Sequence, residues 1–159
     1  MSGTDLITCM FFSGNAQEAA EHYTGIFKDS SIGRVNHFTA AGPGPEGAVV
    51  SVEFTLNGRS FVALNGPPLD FTQAISLQIP CADQAEVDHY WDALTAGGEE
   101  GRAGWLKDRF GVSWQVVPAA LADMLGSPDR AKAAQAAKAM MSTQGKMSLA
   151  ALQQAFDGA

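Results

Sequence analysis

Ile-Thr-Cys-Met-Phe-Phe at residues 7–12 is a strand-like run that leads into the helix-like run 15–27. Ile-Ser-Leu-Gln-Ile at residues 75–79 leads in the same way into the helix-like run 83–96, 68 residues further along the chain. Strand-like sequence follows each helical run. The chain therefore predicts two copies of one strand–helix–strands unit. Their half-sheets are expected to face across a shared cleft, where a small ligand can bind.

The size and composition of the chain fit one domain with a shared core. Its 159 residues are 46% hydrophobic and 17% charged. Two units of about 65 residues would each be marginal alone. The net charge of −7 and the lack of a lysine or arginine run argue against nucleic-acid binding. No apolar run approaches the roughly 18 residues of a membrane helix, so we expect no membrane partner and a cytoplasmic location.

Turn-forming residues set the expected boundaries. We expect a single domain over residues 1–159, with module one at about 5–66, module two at about 73–118 and a helical tail at 119–159. Inside module one, Asn57-Gly58 predicts a hairpin with a type I′ turn. The middle helix of the tail is expected to dock an apolar stripe on the domain or on a second subunit. That stripe comprises Ala133, Ala137, Met140 and Met141.

Local sequence also predicts two helix starts and two buried thiols. Asn15 and Asp83 are expected helix N-caps, and Glu18 follows Asn15 at the spacing of a capping box. Cys9 and Cys81 lie in or beside strand-like sequence without CxxC spacing. We interpret both as small buried apolar residues, rather than as a disulfide or a reactive thiol.

Several longer motifs resemble the vicinal oxygen chelate superfamily, which includes glyoxalase I, extradiol dioxygenases and bleomycin-resistance proteins. The motifs are Phe-Phe-Ser-Gly-Asn-Ala at 11–16, Val-Glu-Phe-x-Leu-Asn-Gly at 52–58, Phe-Val-Ala-Leu-Asn-Gly-Pro at 61–67 and Gly-Trp-Leu-Lys-Asp-Arg-Phe-Gly-Val-Ser-Trp-Gln-Val-Val-Pro at 104–118. Within it the chain is similar to the PhnB-like branch, often labelled 3-demethylubiquinone-9 3-methyltransferase-like. The resemblance covers about residues 5–156. It implies an α+β fold in which two βαβββ modules form a mixed curved sheet around a cleft, plus C-terminal helices.

The resemblance also implies where a divalent metal would bind. Enzymes of the superfamily usually take one ligand, typically His, Glu or Gln, from the first and last strand of each unit. Those positions fall on Thr8, Val62, Ser76 and Gln115 in this chain. Val62 has no donor atom, and hydroxyls are weak ligands beside imidazole and carboxylate. We therefore expect no metal and no other cofactor.

Strand parity predicts which side chains line the cleft. The expected lining is Thr8, Met10 and Phe12 from the first strand, Ser76 and Gln78 from its counterpart, and Ser113, Gln115 and Val117 from the last strand. The opposite face of the first strand, with Ile7, Cys9 and Phe11, is expected to pack against a helix. Such a mixed lining suits a modest organic ligand held by neutral hydrogen bonds. The alternative is a collapsed cleft that binds only water.

Other chemically capable residues leave alternatives open. Glu53, on a predicted central strand, points either into a polar pocket or to water, because burying it unpaired is costly. Trp105 either lines the cleft mouth or packs in the core. We count both among the ligand-binding candidates. His22 and His89 are expected to face solvent, and His37 is interpreted as a structural residue rather than a metal ligand.

The resemblance implies a glyoxalase- or bleomycin-resistance-like protein that binds a small molecule without a metal. One alternative is an enzyme acting on a small organic substrate, namely a 3-demethylubiquinone-9 3-methyltransferase or a lyase or oxidoreductase of the superfamily. A structural or regulatory dimer is another. No catalytic residue is assigned, and no Gly-rich turn of the kind that holds S-adenosylmethionine follows a first strand. Relatives assemble their sheets across a dimer, so a homodimer is expected.

Overall fold

A computed structural model describes residues 5–158 of the chain. The chain divides into two compact units, Met1–Asp70 and Phe71–Ala159. Each unit holds one βαβββ module, and the second also carries three C-terminal helices. The predicted α+β class, the two modules and the C-terminal helices are confirmed. No helix within residues 5–158 is both long enough and apolar enough to cross a membrane.

The first unit is a four-stranded sheet covered on one face by a helix. Its elements are β1 (Thr8–Phe12), α1 (Ala16–Thr24), β2 (Ser31–His37), β3 (Val49–Leu56) and β4 (Arg59–Asn65). The strand order is β1-β4-β3-β2, with β1 parallel to β4 and the other pairs antiparallel. The core lies between α1 and the sheet, where Tyr23 stacks on Phe54 and Phe54 stacks on Phe61.

The second unit repeats this arrangement and adds the tail. Its elements are β5 (Leu77–Cys81), α2 (Gln84–Thr95), β6 (Glu99–Glu100), β7 (Trp105–Lys107), β8 (Ser113–Pro118), α3 (Ala120–Leu125), α4 (Arg130–Ser142) and α5 (Leu149–Asp157). The strand order is β5-β8-β7-β6, and β5 runs parallel to β8 as β1 does to β4. The strands therefore form two four-stranded sheets of one topology.

The hairpin between β3 and β4 forms as predicted. Asn57 has φ 50° and Gly58 has φ 75°, the positive angles that a type I′ turn requires. Thr55 therefore pairs with Ser60 and Glu53 with Val62. This register decides which side chains of the two strands share a face.

Helix α1 begins differently from the prediction. Asn15 is the N-cap residue, but its side chain makes no capping hydrogen bond. Asn65, at the end of β4, supplies the cap instead, because its Oδ1 accepts from the Ala16 N–H at 2.9 Å. The Asn65 amide also donates to the Val49 carbonyl oxygen at 3.0 Å. A long-range side chain thus replaces the local cap and ties α1 to the sheet.

Helix α2 begins as the sequence predicts. Asp83 Oδ1 accepts from the Glu86 N–H at 2.9 Å, and Glu86 Oε1 accepts from the Ala82 N–H at 3.1 Å. The helix buries its predicted apolar face against the second sheet. That face comprises Val87, Tyr90, Trp91 and Leu94.

The predicted faces of β1 are wrong. Met10 and Phe12 are buried in the core, whereas Ile7 and Cys9 are exposed. Thr8 shares the buried side, since it pairs with Phe61 of the core. The cause is a difference of one residue between the modules. Residues 13–15 separate β1 from α1, but only residues 82–83 separate β5 from α2, so the shift that aligns the helices misaligns the strands by one.

The tail packs through α3, α4 and α5 around a core of its own. Its buried residues are Leu121, Met124, Ala136, Met147 and Leu152. The predicted stripe on α4 is correct for Ala133, which is buried, but wrong for Met141, which is 67% exposed. Ala136 is buried fully in its place, and Ala137 and Met140 are half-buried.

The two cysteines differ, although both were predicted to be buried. Cys81 is buried, and this burial, with Glu86 and Asp83 nearby, raises the pKa of its thiol to about 12. Cys9 is exposed on the face of β1 that turns away from α1. Partial burial of its sulfur still raises the pKa of that thiol.

Candidate functional site

The second sheet carries a row of neutral polar side chains on the face that turns away from α2. Gln115 Nε2 donates to Ser76 Oγ at 2.8 Å, and Gln78 Nε2 donates to Gln115 Oε1 at 3.3 Å. The pairing of β5 with β8 places Gln78 opposite Gln115. Because Ile79, Trp114 and Val116 are buried on the other face, these three polar side chains share the open face. We name Ser76, Gln78 and Gln115 the polar row.

Trp105 and Ser113 complete what the sequence predicted for this sheet. Trp105 of β7 pairs with Gln115, so its half-buried ring lies on the same face as the polar row. This placement agrees with the cleft-lining interpretation rather than with packing in the core. Ser113 also follows the parity of Gln115, but it is only 3% exposed. Val117 is half-buried on the same side.

The first sheet has a pocket of about 320 Å³ on the face that turns away from α1. Ile7 and Val62 form part of its apolar wall. The charged groups are Glu53 and Arg34, whose side chains approach to 4.0 Å and are 45% and 72% exposed. Ser31, Thr55 and Ser60 add hydroxyl groups to the lining. The volume is at the lower end of what small-molecule sites in proteins occupy.

Glu53 therefore lines the pocket while 45% of its side chain stays exposed to solvent, so the structure does not separate the two roles that the sequence left open. Gly33 lies close against Glu53. A Cβ built at Gly33 would lie 3.1 Å from the Glu53 carbonyl oxygen and 3.4 Å from its Cβ. Glu53 is paired across the hairpin with Val62. One carboxylate and one guanidinium thus face an otherwise neutral pocket.

Most of the pocket residues were not predicted. Ile7 was assigned to the helix-facing side, and Arg34, Ser31, Thr55 and Ser60 were not considered. A signal was present for two of them. The Asn57-Gly58 turn fixes the hairpin register, and that register places Thr55 opposite Ser60 and on the same face as Glu53.

Three predicted cleft residues lie elsewhere. Met10 and Phe12 are 6% and 4% exposed and belong to the core under α1, and Thr8 points to that same side. With the strands aligned by their buried faces, Ile7 rather than Thr8 corresponds to Ser76. The open face of the first module is therefore more apolar than the sequence suggested.

The donor chemistry of these positions does not fit a divalent metal. Ile7 and Val62 carry no donor atom, and Ser76 and Gln115 offer a hydroxyl and an amide that are bonded to each other. Within residues 5–158, no group of three His, Cys, Asp or Glu side chains is placed to hold a metal ion. His89 and His37 are exposed, whereas His22, predicted to face solvent, is half-buried with its ring 5.7 Å from that of Tyr23.

Comparison with known proteins places the chain in a family. A family model described as 3-demethylubiquinone-9 3-methyltransferase matches residues 4–117. The chain belongs to this family. The match ends at the close of β8, so the three C-terminal helices, which the resemblance was expected to include, lie outside it. No protein with a curated description matches the chain.

Solved structures agree with this assignment to the 3-demethylubiquinone-9 3-methyltransferase family. The PhnB protein of Bacillus cereus is 34% identical, with a TM-score of 0.66 over 72% of this chain and 98% of that one. Protein PA1353 of Pseudomonas aeruginosa is 20% identical, with a TM-score of 0.59 over 70% and 95%. The fosfomycin resistance protein FosX of Listeria monocytogenes, 18% identical over 79% and 98% with a TM-score of 0.54, shares the fold. These similarities support the vicinal oxygen chelate fold.

Proposed function

We propose that this protein binds a small organic molecule without a metal, and that the polar row with Trp105 is the main contact surface. The observation that carries the proposal is the hydrogen-bonded set of Ser76, Gln115 and Gln78 beside an aromatic ring. An amide, a hydroxyl and an indole face are the groups that hold neutral polar ligands with flat apolar bodies. The pocket of the first sheet, lined by Glu53, is proposed as a separate place where a small molecule can bind.

The metal-free state is part of the proposal and follows from donor chemistry. First-row metals favour imidazole, thiolate and carboxylate over hydroxyl and amide. In the second module, both side chains at the positions that the resemblance implies for metal ligands are neutral and are hydrogen-bonded to each other. FosX has been solved with Mn(II) and sulfate, yet at 14% identity that complex is a property of FosX.

The direct test is a binding screen with purified protein, read by thermal shift, with and without EDTA. A ligand that binds only the native state raises the melting temperature. The proposal predicts hits whose shifts are unchanged by EDTA and are lost in Gln115→Leu and Trp105→Ala. A matched control is Gln153→Leu, which changes an exposed glutamine on α5. Hits that require added metal would contradict the proposal.

The family description favours a second candidate, a methyl transfer from S-adenosylmethionine to a 3-demethylubiquinone-type substrate. The 34% identity to the PhnB protein supports one shared activity for the two proteins. Titration with S-adenosylmethionine separates the two candidates. A saturable rise in melting temperature supports the methyltransferase, and its absence at millimolar cofactor supports binding without methyl transfer.

We also propose that the protein is a homodimer. Several large apolar side chains are exposed on the isolated chain, among them Leu6 at 93%, Ile32 at 38% and Leu69 at 62%. Burying such side chains between subunits is favourable by roughly 25 cal/mol for each Å² of apolar surface removed from water. Light scattering coupled to size exclusion tests this, and a mass of 16.7 kDa, that of a single chain, would contradict it.

A further inference from the structure

A short turn connects the C-terminal helices with the face of the second sheet that carries the polar row. Trp105 begins β7 and lies beside Gln115, and the turn before it spans residues 101–104. This turn is closed from both ends, since the Gly101 N–H donates to the Trp105 carbonyl at 2.8 Å and the Trp105 N–H donates to the Arg102 carbonyl at 3.0 Å. The position of Trp105 therefore depends on how this turn is held.

The turn is held by the tail. The Ala103 N–H donates to the Thr143 carbonyl and the Gly104 N–H to the Gly145 carbonyl, both at 3.0 Å. Ala103 has φ 53°, in the left-handed region that non-glycine residues rarely adopt, whereas Gly104, at φ 81°, adopts it without strain. The Ala103 conformation costs energy, so contacts that hold it are required. The two donated hydrogen bonds run from this left-handed pair to the segment between α4 and α5.

Close packing at Gly104 also holds the 101–104 turn against the tail. A Cβ built at Gly104 would lie 2.5 Å from the Val116 carbonyl oxygen and 3.3 Å from Met147 Cγ, so the turn lies directly between β8 and the Met147 side chain. Met147 is 1% exposed and belongs to the tail core. The 101–104 turn and the tail core therefore share Met147 as a packing partner.

The segment that carries Met147 is itself fastened to α2. Lys146 Nζ lies 3.2 Å from Asp88 and 3.2 Å from Asp92. Gln84 Nε2 donates to the Met147 carbonyl at 3.0 Å, and Gln84 Oε1 accepts from the Leu149 N–H at 2.8 Å. The Lys146 side chain and the backbone of Met147 and Leu149 thus fix this segment to α2, the helix that covers the second sheet.

We propose that residues 143–147 are a positioning element for Trp105. They hold the 101–104 turn in its left-handed conformation, and thereby set where the indole ring lies beside the polar row. The ligand specificity assigned to this arrangement rests on the proposed function above. The positioning itself does not. Because the family model ends at residue 117, the helical tail is a part of this chain that tunes a site built by the family fold.

The test uses full-length protein labelled with 5-fluorotryptophan, and it needs no ligand. Fluorine NMR of Trp91, Trp105 and Trp114 should give three resonances, with Trp105 assigned through Trp105→Phe. Met147→Ala is expected to move or broaden the Trp105 resonance while that of Trp114 stays in place. Met147→Leu, which keeps most of the side-chain volume, is expected to restore it. Met141→Ala, on an exposed methionine of the same tail, is the matched control and should leave all three unchanged.

A second pair of variants tests the proposal in case Met147→Ala loosens the whole tail. Lys146→Ala removes the ion pairs to α2 but no core volume, and Lys138→Ala is the matched change at an exposed lysine on α4. The proposal predicts a Trp105 shift in the first and not in the second. A Trp105 resonance that coincides with wild type in both Met147→Ala and Lys146→Ala would overturn it. Failure to find any ligand would overturn the proposed function and leave this result intact.

Discussion

Gln115 Nε2 lies 2.8 Å from Ser76 Oγ and donates a hydrogen bond to it, joining the last strand of the second module to the residue that precedes its first strand. The resemblance to the superfamily implies metal ligands at these two positions, and here the two side chains are hydrogen-bonded to each other. Gln78 extends the contact by donating to the free oxygen of the same amide. The face therefore carries neutral donors and acceptors, which suit polar organic groups rather than ions.

Removing the central amide should cost stability that can be measured. Gln115→Ala takes away the partner of both Ser76 and Gln78, so we expect a loss of about 1 kcal/mol in the free energy of unfolding. Urea denaturation measures this. Gln78→Ala is the comparison, since its contact is longer at 3.3 Å and more exposed, and its loss should be smaller. Equal losses in the two variants would show that the Ser76 contact has no special weight.

The geometry of the pair should support a metal once the chemistry is changed. The double variant Ser76→His and Gln115→Glu places an imidazole and a carboxylate where two side chains already touch. We expect it to bind Ni²⁺ or Zn²⁺ in calorimetry, whereas wild type does not. Ile75→His with Gln115→Glu is the control, because Ile75 is the 81% exposed neighbour of Ser76. Equal affinity in both double variants would count against the proposed geometry.

The cap of α1 gives a sharp contrast between two asparagines. Asn65→Ala removes the acceptor of the Ala16 N–H and the donor to the Val49 carbonyl, so a loss of about 1–2 kcal/mol is expected. Asn15→Ala should change stability by less than about 0.5 kcal/mol, because its side chain makes no capping bond. Thermal and urea unfolding of both variants check the order. A larger loss at Asn15 would mean that the cap is local after all.

The two thiols should react differently. Cys9 is exposed, whereas Cys81 is buried with a thiol pKa raised to about 12, so it stays protonated at ordinary pH. We expect one thiol per native chain to react with Ellman's reagent at pH 8, and two after unfolding. Cys9→Ser should abolish the native signal and Cys81→Ala should leave it unchanged. Two reactive thiols in native wild type would contradict the burial of Cys81.

The contact of Lys146 in the tail with Asp88 of α2 should weaken in acid. Hydrogen bonds from Gln84 and Lys146 lower the pKa of Asp88 in the folded state. Its contribution is therefore present above the unfolded pKa of about 3.9 and is lost as the pH falls through the lower folded value. Asp88→Asn should destabilise the protein at pH 7 more than at pH 3. Asp70→Asn, at an exposed loop position, should have no such pH dependence.

The sequence predicts the elements of this fold better than their faces. The β3–β4 hairpin and α2 follow from local chemistry, since Asn57-Gly58 and Asp83 each act within a few residues. The cap from Asn65 to Ala16 joins residues 49 positions apart, and no local pattern reports it. Strand β6 is only Glu99–Glu100, too short to show any alternation.

In the candidate site, the sequence predicts the faces of the second module better than those of the first. Ser76, Gln78 and Gln115 share one face as their spacing predicts, because β5 and β8 keep the spacing that the sequence suggests, whereas the place of Trp105 was left open. The residues of β1 were assigned to the wrong face because the connection to α1 holds one residue more than its counterpart. An insertion in a short loop leaves helix periodicity intact and reverses the parity of the strand before it.

Elemental analysis of untagged protein, expressed in medium supplemented with zinc, nickel, manganese and iron and purified without chelators, tests the central claim most directly. The neutral pair of Ser76 and Gln115 predicts a metal content far below one atom per chain for each element. A single element retained at one atom per chain through dialysis would contradict the account.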